Sequence, residues 1–138
     1  VPVSEDWIKW AFSMKWEYAK ERDNNEEDKK KFLTSLASLG GFKDVLVWLK
    51  SEGCVLDSNA CWGAARGGHI KVLKYLKSEG MILDEGTSYF AAFAGHIDVL
   101  KYLKSEGVEF DKGTGKFAAQ GGHLKMLKYL KSEGVEFD

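Results

Sequence analysis

Three histidines, two cysteines and a regular series of lysines are the residues whose types could do chemistry in this chain. His69, His96 and His123 offer imidazoles for metal ligation or proton transfer, Cys54 and Cys61 offer thiols, and the lysines offer a cationic track for phosphates. Spacing decides among these uses. The histidines stand 27 residues apart, so stacked units would set them in a ladder and not around one ion. None has a second ligand three or four positions along, as a helical metal site requires. Each imidazole is expected instead to bridge backbone groups at a turn and to tie neighbouring loops together. The cysteines have no His-Cys pair at zinc spacing, and two thiols cannot build a disulfide framework; they read as free thiols of a reducing compartment. The pairs Gly40-Gly41, Gly67-Gly68 and Gly121-Gly122 lack the Lys-Ser/Thr of a phosphate loop. No nucleophile, base and orienting group stand together. The expectation is a protein that is not an enzyme, with no catalytic site, no metal and no cofactor.

The lysines come in columns. Lys74, Lys101 and Lys128 form one and Lys77, Lys104 and Lys131 another, a basic stripe of the kind a polyanion backbone needs. Glu79, Glu106 and Glu133 accompany it, no aromatic residue is expected to interleave on that side, and a solvated outer face is the reading preferred over nucleic-acid binding.

Behind this regularity lies a repeat. Gly68-His69-Ile70-Lys71-Val72-Leu73-Lys74-Tyr75-Leu76-Lys77-Ser78-Glu79-Gly80 returns at Gly95 to Gly107 and at Gly122 to Gly134, with a looser copy at Gly41 to Gly53. The period is 27 residues with no insertion, which marks one structural unit stacked on itself. Such units are too small to bury an apolar face alone and contact chiefly their neighbours.

Each unit divides into two helices. The copied block is helix B, with Ile70, Val72, Leu73, Tyr75 and Leu76 at helical spacing, closed by Gly80 and its equivalents Gly53, Gly107 and Gly134. Its connection to the next unit, Met81-Ile82-Leu83-Asp84 for example, brings an apolar residue that can pack under that unit. Helix A is short, with Asn59, Gly86 and Gly113 expected just before it as N-caps and Ala64-Ala65, Ala91-Ala92 and Ala118-Ala119 at its centre, where backbones can approach closely. Before the units, residues 4 to 22 predict a helix capped by Ser4. Trp7, Trp10, Ala11, Met14 and Tyr18 lie on one face and Ile8, Phe12, Ala19 and Trp16 beside it. Asp23 to Asp28 reads as a link, and a second helix runs from about Asp28 to Leu39. The expected fold is all-α: a capping helix and linker over 1–27, then four units over 28–57, 58–84, 85–111 and 112–138 in one solenoid.

The run Ala91-Ala92-Phe93-Ala94-Gly95-His96-Ile97-Asp98-Val99-Leu100-Lys101-Tyr102-Leu103, closed by Gly107, resembles an ankyrin repeat, and Ala64 to Gly80 and Ala118 to Gly134 match it in register. The family's unit has about 33 residues and opens with T-P-L-H; this one is shorter, and Gly86-Thr87-Ser88-Tyr89 stands where that opening would be. The missing residues belong to the connection that forms a hairpin in the family, so the resemblance implies a compact variant with little or no sheet. It also implies a protein partner, bound along the inner strip of the helices A and the residues just before them.

Helix A positions that break the repetition fall on that strip. Ser35, Trp62, Tyr89 and Lys116 occupy one position of the unit, and Leu39, Arg66, Phe93 and Gln120 the position four residues on, the same helix face. Trp62, Arg66, Tyr89 and Phe93 are the side-chain types in which interface hot spots are enriched. With Lys116, Gln120, Ser58, Glu85 and Lys112 they are the expected partner-binding residues; packing of the aromatics between adjacent helices A is the competing use.

The bulk numbers agree. Lys and Arg total 20 against 21 Asp and Glu, no net charge to draw the chain onto nucleic acid or a membrane. No run approaches the ~20 apolar residues of a membrane span and no signal peptide opens the chain, so an intracellular, cytoplasmic setting without membrane contact is expected. The chain begins at Val1 and ends at Asp138 with a copy of the inter-unit connection. It therefore reads as part of something longer, a structural segment of a longer array or a molecule whose uncapped last unit self-associates.

Overall fold

The structure is a computed structural model and describes residues 4–13 and 26–136. Among these it is all-helical, with nine helices and no strand. None of the helices is long and apolar enough to cross a membrane.

The first helix, α1 (Glu5–Ser13), starts where Ser4 Oγ accepts the Trp7 N–H at 3.2 Å, an N-cap with Glu5 and Asp6 in the favoured first turn. Ile8 and Ala11 are buried, and Phe12 meets the Trp48 ring edge-on at 5.1 Å. Trp10 is 55% exposed, so it turns away from the face on which it was expected. Met14 and Tyr18 of the expected face, Ala19 and Trp16 beside it, and the link through residue 25 lie outside the described residues. The next helix, α2 (Glu26–Gly40), begins two residues earlier than the sequence suggests and buries Leu33 and Ala37, while Phe32 faces outward.

From α2 on, the chain alternates between the two helix types. Helices α3 (Lys43–Ser51), α5 (Ile70–Ser78), α7 (Ile97–Ser105) and α9 (Leu124–Ser132) are the copied blocks. Their 3.6-residue spacing buries Val45, Leu46 and Leu49, then Val72, Leu73 and Leu76, then Val99, Leu100 and Leu103, and finally Met126 and Leu130. Each ends in the same way. Gly80, at φ +92, donates its N–H to Lys77 O and lets Met81 N–H reach back to Leu76 O, a closure that needs a left-handed residue. The connection then sends Met81 and Leu83 against the core and leaves Ile82 almost wholly in solvent.

Helices α4 (Ser58–Gly67), α6 (Glu85–Ala94) and α8 (Lys112–Gln120) are the short ones. They pack on one another and on α2 in the order α2, α4, α6, α8, and each also packs on the copied block that follows it. Ala64, Ala65, Ala91, Ala92 and Ala118 are buried, as close backbone approach requires, whereas Ala119 is exposed. Their N-caps are not Asn59, Gly86 and Gly113. Asp57, Asp84 and Asp111 hold that place in extended conformation and accept the N–H of Asn59, Thr87 and Thr114. The helices therefore start two residues earlier than expected, and a carboxylate at the positive end of the dipole is a stronger cap than glycine.

Candidate functional site

Two surfaces hold the residues of interest. On the copied helices, Trp48, Tyr75, Tyr102 and Tyr129 form a column at 27-residue spacing. An ammonium lies 5.8 Å from the centre of each ring, from Lys9, Lys43, Lys74 and Lys101 respectively. Val47 stands where a lysine would cover Tyr75, and Lys43 reaches that ring from the start of its helix instead. The expectation that no aromatic residue interleaves with the lysines is thus corrected: half-buried tyrosines lie beneath them. Burial raises the phenol pKa of Tyr75, Tyr102 and Tyr129, because the anion would lose its hydration. In the second lysine column Lys77 pairs with Glu106 and Lys104 with Glu133, and Lys50, their equivalent one unit earlier, pairs with Glu79. Each pair joins one unit to the next.

The turns between the two helices carry the histidines. His69, His96 and His123 present Nε2 to the carbonyl oxygens of Leu39, Arg66 and Phe93, each at 2.9 Å, so Nε2 carries the proton and donates. The acceptor lies 30 residues back, in the preceding unit's turn. Gly68 completes the joint: at φ +79 it packs flat on the His96 ring, and a Cβ there would come within 2.8 Å of the imidazole. The ladder therefore does structural work between units. Among the described residues, no group of three or more His, Cys, Asp and Glu side chains could hold a metal ion. Both thiols are buried, and burial pushes Cys61 up to about 11, with Asp84 and Asp57 adding to it, and raises Cys54 in the same direction. Neither is poised as a thiolate nucleophile.

The helix A strip is divided by its neighbours. Trp62 stacks on Phe90 at 5.6 Å and 23°, and its Nε1–H donates to Asp84 Oδ1 at 3.3 Å. Tyr89 repeats the arrangement one unit on, stacking on Phe117 at 5.1 Å and 16° while its hydroxyl donates to Asp111 Oδ2 at 2.7 Å. That bond, ahead of desolvation, lifts the Tyr89 phenol to about 12. One carboxylate thus caps a helix and receives the ring donor of the unit before it. Trp62 and Tyr89 have the packing role, whereas Arg66, Phe93, Lys116 and Gln120 are exposed, Phe93 to 40%. Ser58, Glu85 and Lys112 lie exposed at the helix starts. Sequence reasoning missed Asp84, Asp111, Phe90 and Phe117, although each pair recurs at the 27-residue period. Compared with protein-family models the chain matches none, and compared with curated proteins it matches none.

Proposed function

We propose that this chain is a non-catalytic scaffold for protein–protein interaction, built as a short ankyrin-like solenoid capped by its first helix and binding its partner along the helix A strip. The observation that carries the reading is a division of labour. The contacts that join one unit to the next recur in register, through Lys77–Glu106, His96–Arg66 O and their equivalents. The exposed side chains Arg66, Phe93, Lys116 and Gln120 change at every step, and among the described residues none of them forms an ion pair or a ring stack with the next unit. A row of unlike side chains on a fixed frame suits recognition of one surface with little rearrangement, which limits the entropy cost of binding. Against polyanion binding through the lysine columns stands their engagement: most of these lysines already face a carboxylate or a tyrosine ring. Retention on heparin that falls steeply with salt would restore that alternative.

The test starts from a partner captured from the source cell and quantified by calorimetry. Phe93→Ala is expected to weaken binding about tenfold or more, as for a central aromatic contact, while the melting curve stays in place. If Phe93→Ala, Arg66→Ala and Lys116→Ala all leave affinity unchanged, the strip is not the binding surface and the proposal fails.

A further inference from the structure

The ring pairs of the helix A row are missing at one step. Trp62 with Phe90 fills the contact between α4 and α6, and Tyr89 with Phe117 fills that between α6 and α8. One period earlier, between α2 and α4, the same two positions hold Ser35 and Gly63, and neither has a ring. The place stays open as a depression of about 200 Å³, walled by Phe32, Leu36 and Leu39 on one side and by Trp62 and Arg66 on the other, with Gly63 between them. An apolar cavity of roughly 150 Å³ already admits benzene, so a single aromatic side chain fits this volume. Phe32 and Leu39 are 51% and 39% exposed at its edge. Both would leave water if the depression were filled, and burying that apolar surface favours occupancy.

The molecule itself indicates what belongs there. In both filled steps the ring from the preceding unit donates a hydrogen bond to the aspartate that caps the next helix A, Trp62 to Asp84 and Tyr89 to Asp111. Asp57 is the equivalent cap for α4, where among the described residues its Oδ1 receives the Asn59 N–H and no ring donor, and Ser35 stands where that ring donor would be. Arg66 supplies a cation at the same depression and has no ion-pair partner among the described residues.

We infer that the depression between α2 and α4 is a socket for a tryptophan or tyrosine side chain of a protein partner, its ring donor bound by Asp57 and a neighbouring carboxylate met by Arg66. The inference rests on the scaffold reading and narrows it to one anchor. The partner's ring completes the missing step of the row, and the chain's own Trp62 and Tyr89 show the geometry it would adopt.

The probe is a set of blocked dipeptides, N-acetyl-Trp-Glu-amide, N-acetyl-Phe-Glu-amide and N-acetyl-Trp-Lys-amide, titrated into the isotope-labelled 138-residue chain and followed by amide chemical shifts. Saturable shifts are expected at Phe32, Ser35, Leu39, Gly63 and Arg66 with Trp-Glu. Affinity should fall at least about threefold for Phe-Glu, which lacks the donor, and about threefold for Trp-Lys, which meets Arg66 with the wrong charge. Ser35→Trp should fill the socket from within, abolish the shifts and leave the melting temperature unchanged or higher. Arg66→Gln, which does not depend on refilling the socket, should erase the difference between Trp-Glu and Trp-Lys. Absence of saturable shifts at these amides, equal binding of Phe-Glu and Trp-Glu, or undiminished shifts in a folded Ser35→Trp chain would each overturn the socket. A protein partner that shifts Phe93, Lys116 and Gln120 but none of the α2–α4 amides would also overturn it, while the scaffold reading would stand.

Discussion

The two helices of each unit meet their neighbours by different rules. Between α5 and α7 the joining residues are of the same types as between α7 and α9, lysine to glutamate and lysine over tyrosine, and the histidine before each of α7 and α9 reaches a carbonyl of the preceding unit's short helix. Between α4, α6 and α8 buried alanines recur at the base, but the outer edge changes, with Trp62 and Phe90 at one step and Tyr89 and Phe117 at the next. The difference teaches that repetition of a residue marks a partner in the next unit, whereas variation has two meanings. Trp62 and Tyr89 differ in identity yet do the same work, since both give a flat ring and a donor to the following aspartate. Arg66 and Phe93 differ and have no such shared work. Variation alone therefore does not single out a candidate binding residue; the proposed strip rests on variation together with exposure.

The comparison can be broken hardest in the core. Leu100 is fully buried in α7, and Leu124, which opens α9, is largely exposed. Leu100→Ala should lower the free energy of unfolding by about 2–5 kcal/mol, through lost transfer energy and the cavity left behind. Leu124→Ala should stay within about 0.5 kcal/mol. Urea titrations of both variants followed by circular dichroism decide it. Equal losses would mean that α9 is covered in solution.

A smaller and more specific break falls on Asp111. Asp111→Ala removes both the α8 cap and the acceptor of Tyr89, and should cost about 0.5–2 kcal/mol. Asp111→Asn keeps a capping oxygen but removes the carboxylate whose hydrogen bond, ahead of desolvation and of its charge, holds the Tyr89 phenol at about 12. A phenol with a raised folded-state pKa contributes stability that is complete below about pH 10 and is lost as pH rises through its folded value. In wild type that window runs from about 10 to about 12. Ultraviolet titration of phenolate should show one tyrosine ionising earlier in Asp111→Asn than in wild type. Asp84→Asn should leave the titration unmoved, because its partner Trp62 does not ionise there.

Much of this architecture was legible from the chain. The period, the division into two helices, the glycine closures and the absence of strand among the described residues all follow from local rules that neighbouring units cannot override. The histidine ladder was legible for the same reason, since a ladder is what an unbroken register produces. The caps were not. Asn59, Gly86 and Gly113 suit an N-cap by type, but Asp57, Asp84 and Asp111 precede them by two residues, and the extended turn fixes which one begins the helix. The direction of Trp10 was also hidden, because a helix with a wide apolar arc is oriented by its neighbours and not by its own pattern. The candidate site was half legible. Spacing puts Trp62, Arg66, Tyr89 and Phe93 on one strip, but which of them meets another ring depends on Phe90 and Phe117 in the following unit. The open step between α2 and α4 depends on Ser35 and Gly63, two small residues that draw no notice until the filled steps are seen beside them.

The weakest expected effect tests whether the repeated outer links matter for stability or chiefly for register. Lys77 and Glu106 are 46% and 29% exposed, so water screens their attraction. Lys77→Ala should cost about 0.2–1 kcal/mol, and salt near 1 M, where the Debye length is about 3 Å, should remove most of the difference from wild type. A larger loss that survives salt would mean that the lysine contributes through its packed hydrocarbon stem. The double change Lys77→Ala with Glu106→Ala separates the cases. If the pair acts through charge, the second change adds little to the first; if the stem packs, the two losses add.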